Sequence, residues 1–220
     1  MLKLKSLKKS YAQGSQSVEI FEDLNFHVKQ KQRIAIMGKS GSGKSTLLSL
    51  ISGIIKPNSG DIVLNSISYK DLQESELNDF RATNIGFVFQ NFHLVSYLNA
   101  LENVMLPAKV CNIKNPKEKA IELLKSVGLS HRLDHLPSQL SGGEKQRVAI
   151  ARALIHNPKI ILADEPSGNL DEETGIEVMD KLFELIEKND MTLILVTHSK
   201  DVANRCEQTY ELKAGKLELC

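Results

Sequence analysis

Short apolar runs that alternate with polar residues predict strands through the first part of the chain. The alternation is visible in LKLKSL, SVEIFEDLNFHV and RIAIMG, and GDIVLNSISY continues it. A period of two is typical of a half-buried strand, because successive side chains point to opposite faces of a sheet. We therefore expect strands up to about residue 35 and another around residues 60–69. The stretch RIAIMG, at Arg33–Gly38, runs directly into a glycine-rich turn.

Helical patterns follow that turn and dominate the middle of the chain. The pattern predicts a first helix from Lys44 to about Ile51. Asn99, with Glu102 three residues later, indicates the start of another. In the stretch NPKE, residues 115–118, an asparagine N-cap precedes a proline at the first helical position. That helix should end at Gly128.

Continuous apolar runs alternate with helices in the second half. IGFVFQ, IIL and MTLILVT each predict a short buried strand, and TYELKAGKLEL predicts a terminal hairpin around Ala214-Gly215. Between them, Glu172–Lys188 has an apolar face typical of a helix. Strands that alternate with helices indicate an α/β fold around a mostly parallel sheet. The helix-only stretch, residues 92–157, predicts an inserted helical subdomain.

Composition narrows the possible functions. The 220 residues are 41% hydrophobic and 25% charged with a net charge of +1, so no basic excess favours nucleic acid or anionic lipid. Cys111, Cys206 and Cys220 form no CxxC pair and fit a reducing compartment. No apolar run approaches the roughly 18 residues that span a bilayer, and MLKLKSLKKSY lacks the apolar segment of a signal peptide. Any membrane role must then come through a partner.

The turn GKSGSGKST matches the phosphate-binding pattern GxxxxGK[ST] between a predicted strand and a predicted helix. Its glycines let backbone N–H groups converge on phosphate oxygens at a helix N-terminus. Lys44 should reach the β- and γ-phosphates, and Ser45 should offer its hydroxyl to Mg²⁺. The alternative is a flexible Gly/Ser loop. The candidate residues are Gly38, Lys39, Ser40, Gly41, Ser42, Gly43, Lys44, Ser45 and Thr46.

Acidic residues follow the predicted strand IIL in the stretch IILADEP. Asp164 could hold Mg²⁺ through water, and Glu165 could polarise an attacking water as a general base. Alternatively, the two form a turn before Pro166.

Three further polar residues are weaker candidates. Gln90 ends one predicted strand and could ligate Mg²⁺ or sense a γ-phosphate. His198 follows another and could orient the attacking water. Tyr11 could stack on adenine. Taken alone, they could equally be a polar loop residue, a structural histidine and a packing tyrosine.

A second glycine turn opens the stretch LSGGEKQRVAIARAL, at Leu140–Leu154, where a helix should run to about His156. Ser141 with Glu144 three residues later forms a capping box, which could be its whole purpose. Yet Gly142 and Gly143 each cost about 1 kcal/mol in a helix relative to alanine, which indicates a close approach to the backbone. A phosphate at the helix N-terminus fits, and the nucleotide could belong to another subunit.

These motifs together resemble the ATP-binding cassette (ABC) ATPases. LSGGEKQ is similar to their signature motif, and the P-loop, the glutamine, ADEPSGNLD and the histidine occur in the family's order over the whole chain. The resemblance implies an α/β fold with a P-loop NTPase (RecA-like) core, an antiparallel β subdomain and an inserted helical subdomain. It places the core together with the β subdomain in residues 1–91 and 158–220 of one domain, and the helical subdomain with the signature motif in residues 92–157.

The same resemblance implies the roles of the site residues. Tyr11 stacks on adenine, Gln90 is the Q-loop glutamine, Glu165 is the catalytic carboxylate and His198 is the switch histidine. Ser167–Asp171 is the D-loop, with Asp171 at the nucleotide across the dimer. The family binds two ATP, with Mg²⁺, between the P-loop of one subunit and the LSGG turn of the other in a head-to-tail homodimer. It hydrolyses ATP to ADP and phosphate to drive transport or mechanical work.

NALENVMLPA, RLDHLPSQLSGGE and DEPSGNLD resemble the LolD/MacB/FtsE group. Within it, RLDHLPSQLSGG and ANRCEQTYELKAGKLE are most similar to the YbbA type. Ser167 and Ser199 depart from that group's common Thr and Asp. The group implies an integral membrane permease of the MacB/LolC/FtsX type, a place on the cytoplasmic face of the inner membrane, and export or extraction of a lipophilic substrate or lipoprotein.

Two alternatives differ in class. One is an FtsE-like regulatory ATPase that signals through its membrane partner without moving a substrate. The other is a soluble ABC ATPase acting on DNA or ribosomes. The sequence has no long heptad insertion, second cassette or basic excess, so no nucleic-acid partner is expected.

Overall fold

A computed structural model describes residues 1–14 and 16–220, without the side chains of Gln13 and Gln16. The described chain divides into two units, one formed by Met1–Arg81 with Thr192–Cys220 and the other by Ala82–Met191. The predicted subdomain boundaries at residues 92 and 157 stay a prediction.

Strands dominate the first unit and helices the second. In chain order the strands are β1 (Leu2–Gln13), β2 (Gln16–Val28), β3 (Arg33–Met37), β4 (Ser59–Leu64), β5 (Ile67–Ser68), β6 (Ile85–Val88), β7 (Ile160–Asp164), β8 (Thr192–Val196), β9 (Gln208–Lys213) and β10 (Lys216–Leu219). The helices are α1 (Lys44–Ile51), α2 (Glu74–Asn84), α3 (Ala100–Val110), α4 (Pro116–Ser126), α5 (Gly142–Leu154), α6 (Glu172–Lys188) and α7 (Lys200–Ala203).

An antiparallel sheet of the first unit has the strand order β2-β1-β4-β5. Leu2, Leu4 and Leu7 of β1 are all buried, although Leu7 breaks the alternation. The register shifts between Leu4 and Leu7, and Ser6 lies there with a φ of 46°. This bulge returns Leu7 to the core face. The stretch GDIVLNSISY forms two strands, β4 and β5, and not one.

The parallel strands of the first unit follow the order β10-β9-β3-β8. β3 pairs in parallel with both β8 and β9, and β9 turns back antiparallel into β10. The predicted hairpin around Ala214-Gly215 is confirmed. The predicted helix after the glycine turn is confirmed as α1, whose buried side chains include Leu47, Leu48 and Ile51.

The second unit joins the parallel pair β6–β7 to the helices α3 to α6. The capping prediction for α3 is confirmed, because Asn99 Oδ1 accepts from Glu102 N at 2.8 Å and Glu102 Oε2 accepts from Asn99 N at 2.9 Å. The prediction of an asparagine N-cap for α4 is wrong in its geometry. Asn115 is left-handed, with a φ of 49°, and its side chain makes no capping bond in the described structure. Pro116 still begins the helix.

Two helices, α2 and α7, have no counterpart in the sequence predictions. α2 lacks a strong apolar stripe, and Leu77 is its buried side chain. α7 is only four residues long. The predicted strand IGFVFQ ends at Val88 rather than Gln90. Within the residues described, no helix is both long and apolar enough to cross a membrane.

Candidate functional site

The glycine turn after β3 leaves no space for two side chains. A Cβ on Gly38, whose φ is 152°, would lie 2.7 Å from Leu212 O. A Cβ on Gly43 would lie 2.7 Å from Ile20 Cγ2, and the φ of 100° at this residue disfavours any other amino acid. The turn therefore requires glycine at both positions, as the phosphate-binding pattern does.

Lys44 points back over this turn. Its Nζ donates to Gly38 O at 2.9 Å and to Lys39 O at 3.0 Å, and the residue is only 7% exposed. Among the described residues no carboxylate forms a salt bridge with this ammonium group. A buried charge without an opposite partner is costly, so the position favours an anionic ligand.

Other groups of the turn also fit phosphate. Ser42 Oγ is buried and has no hydrogen-bond partner in the described part of the chain. Helix geometry leaves the N–H groups of the first turn of α1 without intrahelical partners, and the N-cap Gly43 supplies no side-chain bond to them. The first turn of α1 has no acidic residue that would repel an anion. The donors present therefore match the phosphates of a nucleotide.

The structure brings His198 close to this turn in the first unit. β3 and β8 are parallel with Ile36 opposite Val196, and Thr197 N donates to Ile36 O at 3.2 Å. Gly38 and His198 each follow two residues later, so they leave the same edge of the sheet. The His198 side chain is exposed. Ser199, the departure from the family pattern, caps α7 by accepting from Val202 N at 3.3 Å, as aspartate would.

Tyr11 lies on β1, opposite Val18 of β2. Two residues beyond Val18, Ile20 contacts the P-loop glycine described above, which places this part of the hairpin near the turn. Tyr11 is 41% exposed, and Lys9 Nζ lies 4.9 Å from its ring centroid. An exposed ring can stack on a base, whereas a packing tyrosine would be covered.

The second unit brings together Gln90 and the two acidic residues. β6 and β7 are parallel with Val88 opposite Ala163, so Gln90 and Glu165 each lie two residues further along. Asp164 ends β7, and both acids are half-buried. Glu165 has a φ of 45°, a left-handed conformation that non-glycine residues rarely adopt and that is concentrated at functional sites.

Asn169, which the sequence predictions include in the D-loop without a role of its own, contacts Gln90 and Asn91. Gln90 Nε2 donates to Asn169 Oδ1 at 3.2 Å, and Asn169 Nδ2 donates to Gln90 O at 3.1 Å and to Asn91 Oδ1 at 2.8 Å. The sequence feature that could have indicated Asn169 is its place in SGNLD, between the acidic pair and Asp171. Its contact with Gln90, 79 residues earlier, has no signature in the sequence.

The signature turn begins α5 with the predicted capping box. Ser141 Oγ accepts from Glu144 N at 3.2 Å, and Glu144 Oε2 accepts from Ser141 N at 2.8 Å. Arg132 Nε donates to Glu144 Oε1 at 2.8 Å and supports this box. Burial tends to raise the pKa of Glu144, but the bonds from Ser141 and Arg132 outweigh it and lower the pKa below its usual value. Ser141 itself is exposed.

The two glycines of this turn have a packing role that the sequence did not indicate. A Cβ on Gly143, which is buried, would collide with Thr174 Cγ2 of α6. A Cβ on Gly142 would lie 3.1 Å from Leu170 Cδ2. Close packing against this chain's own D-loop and α6 therefore accounts for part of the glycine requirement, beside any phosphate.

Asp171 is placed as the N-cap of α6. Its Oδ1 accepts from Thr174 N at 3.0 Å, and this bond lowers the pKa of the exposed carboxyl. Its negative charge also lies where the helix dipole favours it.

A sequence profile described as ABC transporter matches residues 21–168, which is more than half of the chain. The chain belongs to this family. It is an ATP-binding cassette ATPase with the predicted P-loop NTPase fold, and its resemblance to the LolD and MacB group is confirmed. The likeness to the YbbA type stays a prediction.

Relatives match over nearly the whole chain. The lipoprotein-releasing system ATP-binding protein LolD of Treponema denticola is 44% identical over 217 residues, which cover 98% of this chain and 96% of that protein. The macrolide export ATP-binding/permease protein MacB of Rhodopirellula baltica is 42% identical over 219 residues, 98% of this chain but 32% of that protein.

A solved structure is equally similar. The dimeric ATP-binding cassette of Methanocaldococcus jannaschii, in a post-hydrolysis state bound to ADP and Pi, is 42% identical. It superposes with a TM-score of 0.91 over 99% of this chain and 97% of that one. ATP binding and hydrolysis therefore belong to this cassette.

Proposed function

We propose that this ATPase is the motor subunit of a membrane complex that exports or extracts a lipophilic substrate or lipoprotein. The P-loop carries the proposal, because Lys44 is a buried cation without a carboxylate partner in the described residues. The name of the LolD relative supports lipoprotein release as the process that it drives.

The residues of GKSGSGKST bind the ATP phosphates in this proposal. Lys44 exchanges its bonds to the turn carbonyls for bonds to the β- and γ-phosphates, which are stronger because both partners are charged. Tyr11 stacks on the adenine. Ser45, Gln90 and Asp164 hold Mg²⁺, directly or through water. When bound, Mg²⁺ would neutralise part of the phosphate charge.

Glu165 and His198 carry the hydrolytic step. Glu165 polarises the attacking water and accepts its proton, and His198 orients that water toward the γ-phosphate. The left-handed backbone of Glu165, a conformation that is concentrated at functional sites, supports this role. Asn169 holds Gln90 in position for its proposed role as an Mg²⁺ ligand.

Two copies act together. Ser141, Gly142 and Gly143 of one copy receive the γ-phosphate of the nucleotide bound by the other, and Asp171 with its D-loop lies across the same interface. A two-fold arrangement then makes two equivalent sites. Because each ATP contacts both copies, ATP favours the closed dimer, and hydrolysis allows it to reopen.

The membrane partner is an integral permease of the MacB/LolC/FtsX type, and the cassette lies on the cytoplasmic face of the inner membrane. The relative named MacB joins an ATP-binding part and a permease in one protein, which supports this pairing. The permease supplies the substrate specificity.

Glu165→Gln tests the motor. This variant should bind ATP and accumulate as a dimer, since closure survives and water activation fails. Light scattering with saturating ATP and Mg²⁺ measures it, and Glu165→Gln with ADP is the matched control. A variant that stays monomeric alone and with its permease would contradict the two-copy arrangement.

Affinity purification from membranes tests the partner. A co-purifying integral membrane protein supports the motor role, whereas nucleic acid or ribosomes would exclude it. Substrate movement in reconstituted vesicles then separates transport from an FtsE-like regulatory role.

A further inference from the structure

The signature helix α5 holds the backbone on both sides of Gln90. Gln146, which is fully buried, donates from Nε2 to Phe89 O at 3.2 Å. Arg152, six residues further along, donates from Nη2 to Phe92 O at 2.7 Å and from Nη1 to His93 O at 2.5 Å. One helix thus binds the carbonyls that flank the Q-loop glutamine.

The segment held by Arg152 has an unfavourable backbone. Phe92 and His93 are both left-handed, with φ values of 42° and 47°. This region is disfavoured for residues with a Cβ, and two in succession persist only where neighbouring groups hold them. The Arg152 fork binds the carbonyls of both residues, so it is placed to hold this conformation.

The contacts of Arg152 support a role in holding the left-handed segment Phe92-His93. Its side chain is half-buried, and in the described part of the chain it donates to these two carbonyls and pairs with no carboxylate. A planar guanidinium holds two neighbouring acceptors at a fixed spacing, whereas a lysine ammonium is a point donor on a flexible stem and restrains their geometry less.

The fold of α5 does not depend on these bonds. Val148, Ala149, Ile150 and Ala151 are fully buried and pack the helix into its unit. Loss of the Arg152 fork should therefore release the loop while the helix stays in place.

We propose that Arg152 is a positioning residue that holds Gln90 through the left-handed segment Phe92-His93. This inference rests on the proposed role of Gln90 as an Mg²⁺ ligand. Ser141 begins the same helix, so a shift of the signature turn would reach Gln90 through Arg152. The stretch RVAIARAL of α5 then has a functional role in addition to that of the signature turn at the start of the helix.

A double-mutant cycle tests this link. Arg152→Lys keeps the charge and removes the fork, and it should lower kcat about tenfold and raise the Mg²⁺ concentration for half-maximal activity several-fold. In a Gln90→Ala background the same change should cost less than about twofold, because Arg152 acts through Gln90. Arg147→Lys, on the same helix, is the matched control and should match the wild type.

Replacement of His93 gives an independent test. Glycine adopts the left-handed region without the Cβ penalty. When His93→Gly is added to Arg152→Lys, kcat should therefore rise at least about threefold above that of Arg152→Lys alone. No recovery would contradict the holding role. Equal losses from Arg152→Lys in both backgrounds would also overturn it, because the residue would then act on the fold and not on Gln90.

The outcomes separate the two proposals. If Gln90→Ala alone matches the wild type in activity and Mg²⁺ dependence, the proposed role of Gln90 fails, and the inference falls with it. If Gln90→Ala is impaired and Arg152→Lys is not, only the positioning role of Arg152 fails.

Discussion

The Asn169 side chain is joined to Gln90 by two hydrogen bonds, one to its side-chain amide and one to its backbone carbonyl. Gln90 Nε2 donates to Asn169 Oδ1 at 3.2 Å, and Asn169 Nδ2 returns a bond to Gln90 O at 3.1 Å. A Cβ on the neighbouring Gly168 would lie 2.8 Å from Gln90 Nε2. The D-loop therefore fixes both the position and the orientation of the Q-loop amide.

Removal of this link should slow catalysis more than it weakens binding. Asn169→Ala loses bonds worth about 1–2 kcal/mol together, so kcat should fall about five- to thirtyfold while the KM for ATP changes little. Steady-state ATPase assays measure both constants.

Asn189→Ala is the matched control, because Asn189 donates from Nδ2 to Leu185 O at the end of α6. It should retain the wild-type kcat. Equal losses in the two variants would show that Asn169 acts on general stability.

Lys44→Ala should abolish tight nucleotide binding. A bond between this ammonium and phosphate is worth about 1.5–3 kcal/mol, so the Kd for ATP should rise roughly 10- to 150-fold. Titration with a fluorescent ATP analogue measures it. The exposed Lys70→Ala should bind as the wild type does. Unchanged affinity in Lys44→Ala would refute the P-loop assignment.

Substitution of Ser141 separates binding from dimer closure. Ser141→Arg should bind ATP in the monomer and fail to dimerise, but it also loses a helix cap worth about 0.5–2 kcal/mol. Ser141→Asp keeps the cap and places a negative charge where the γ-phosphate of the ATP bound by the other copy should lie. It should be as stable as the wild type and also fail to dimerise.

The measurement for both variants combines thermal unfolding with light scattering in a Glu165→Gln background. A loss of ATP binding in monomeric Ser141→Asp would mean that the turn serves the nucleotide of its own chain.

The capping box at Glu144 makes stability depend on pH. Although burial opposes it, the bonds from Ser141 and Arg132 lower the pKa of Glu144 below its usual 4.5 in the folded chain. The unfolded chain then binds more protons in acid, so the stabilisation is present above about pH 4.5 and lost as the pH falls through the folded pKa.

Glu144→Gln can keep the capping box without the titration. The wild type should unfold at a higher urea concentration than Glu144→Gln at pH 7, and the two midpoints should converge below about pH 4.5. Parallel urea curves across this range measure it. A constant difference would contradict a contribution from the Glu144 charge.

Features built from residues close in sequence were predictable from the sequence alone. The P-loop, the capping boxes at Asn99 and Ser141, and the span of α6 depend on bonds and periods of three or four residues. Asn115 shows where such reasoning fails. Asparagine tolerates the left-handed region as well as the extended one that an N-cap needs, and the sequence pattern does not distinguish the two.

Contacts between distant residues were decided by the tertiary structure. Gln90 meets Asn169 because β6 and β7 pair in parallel in one register, and Arg152 meets Phe92 and His93 because α5 packs beside that loop. The glycine at 143 is required by Thr174, which lies 31 positions away on another helix. Local patterns specify the elements and the residue types of the ATPase motifs. Register and packing, which depend on the whole core, decide which of those residues hold each other in place.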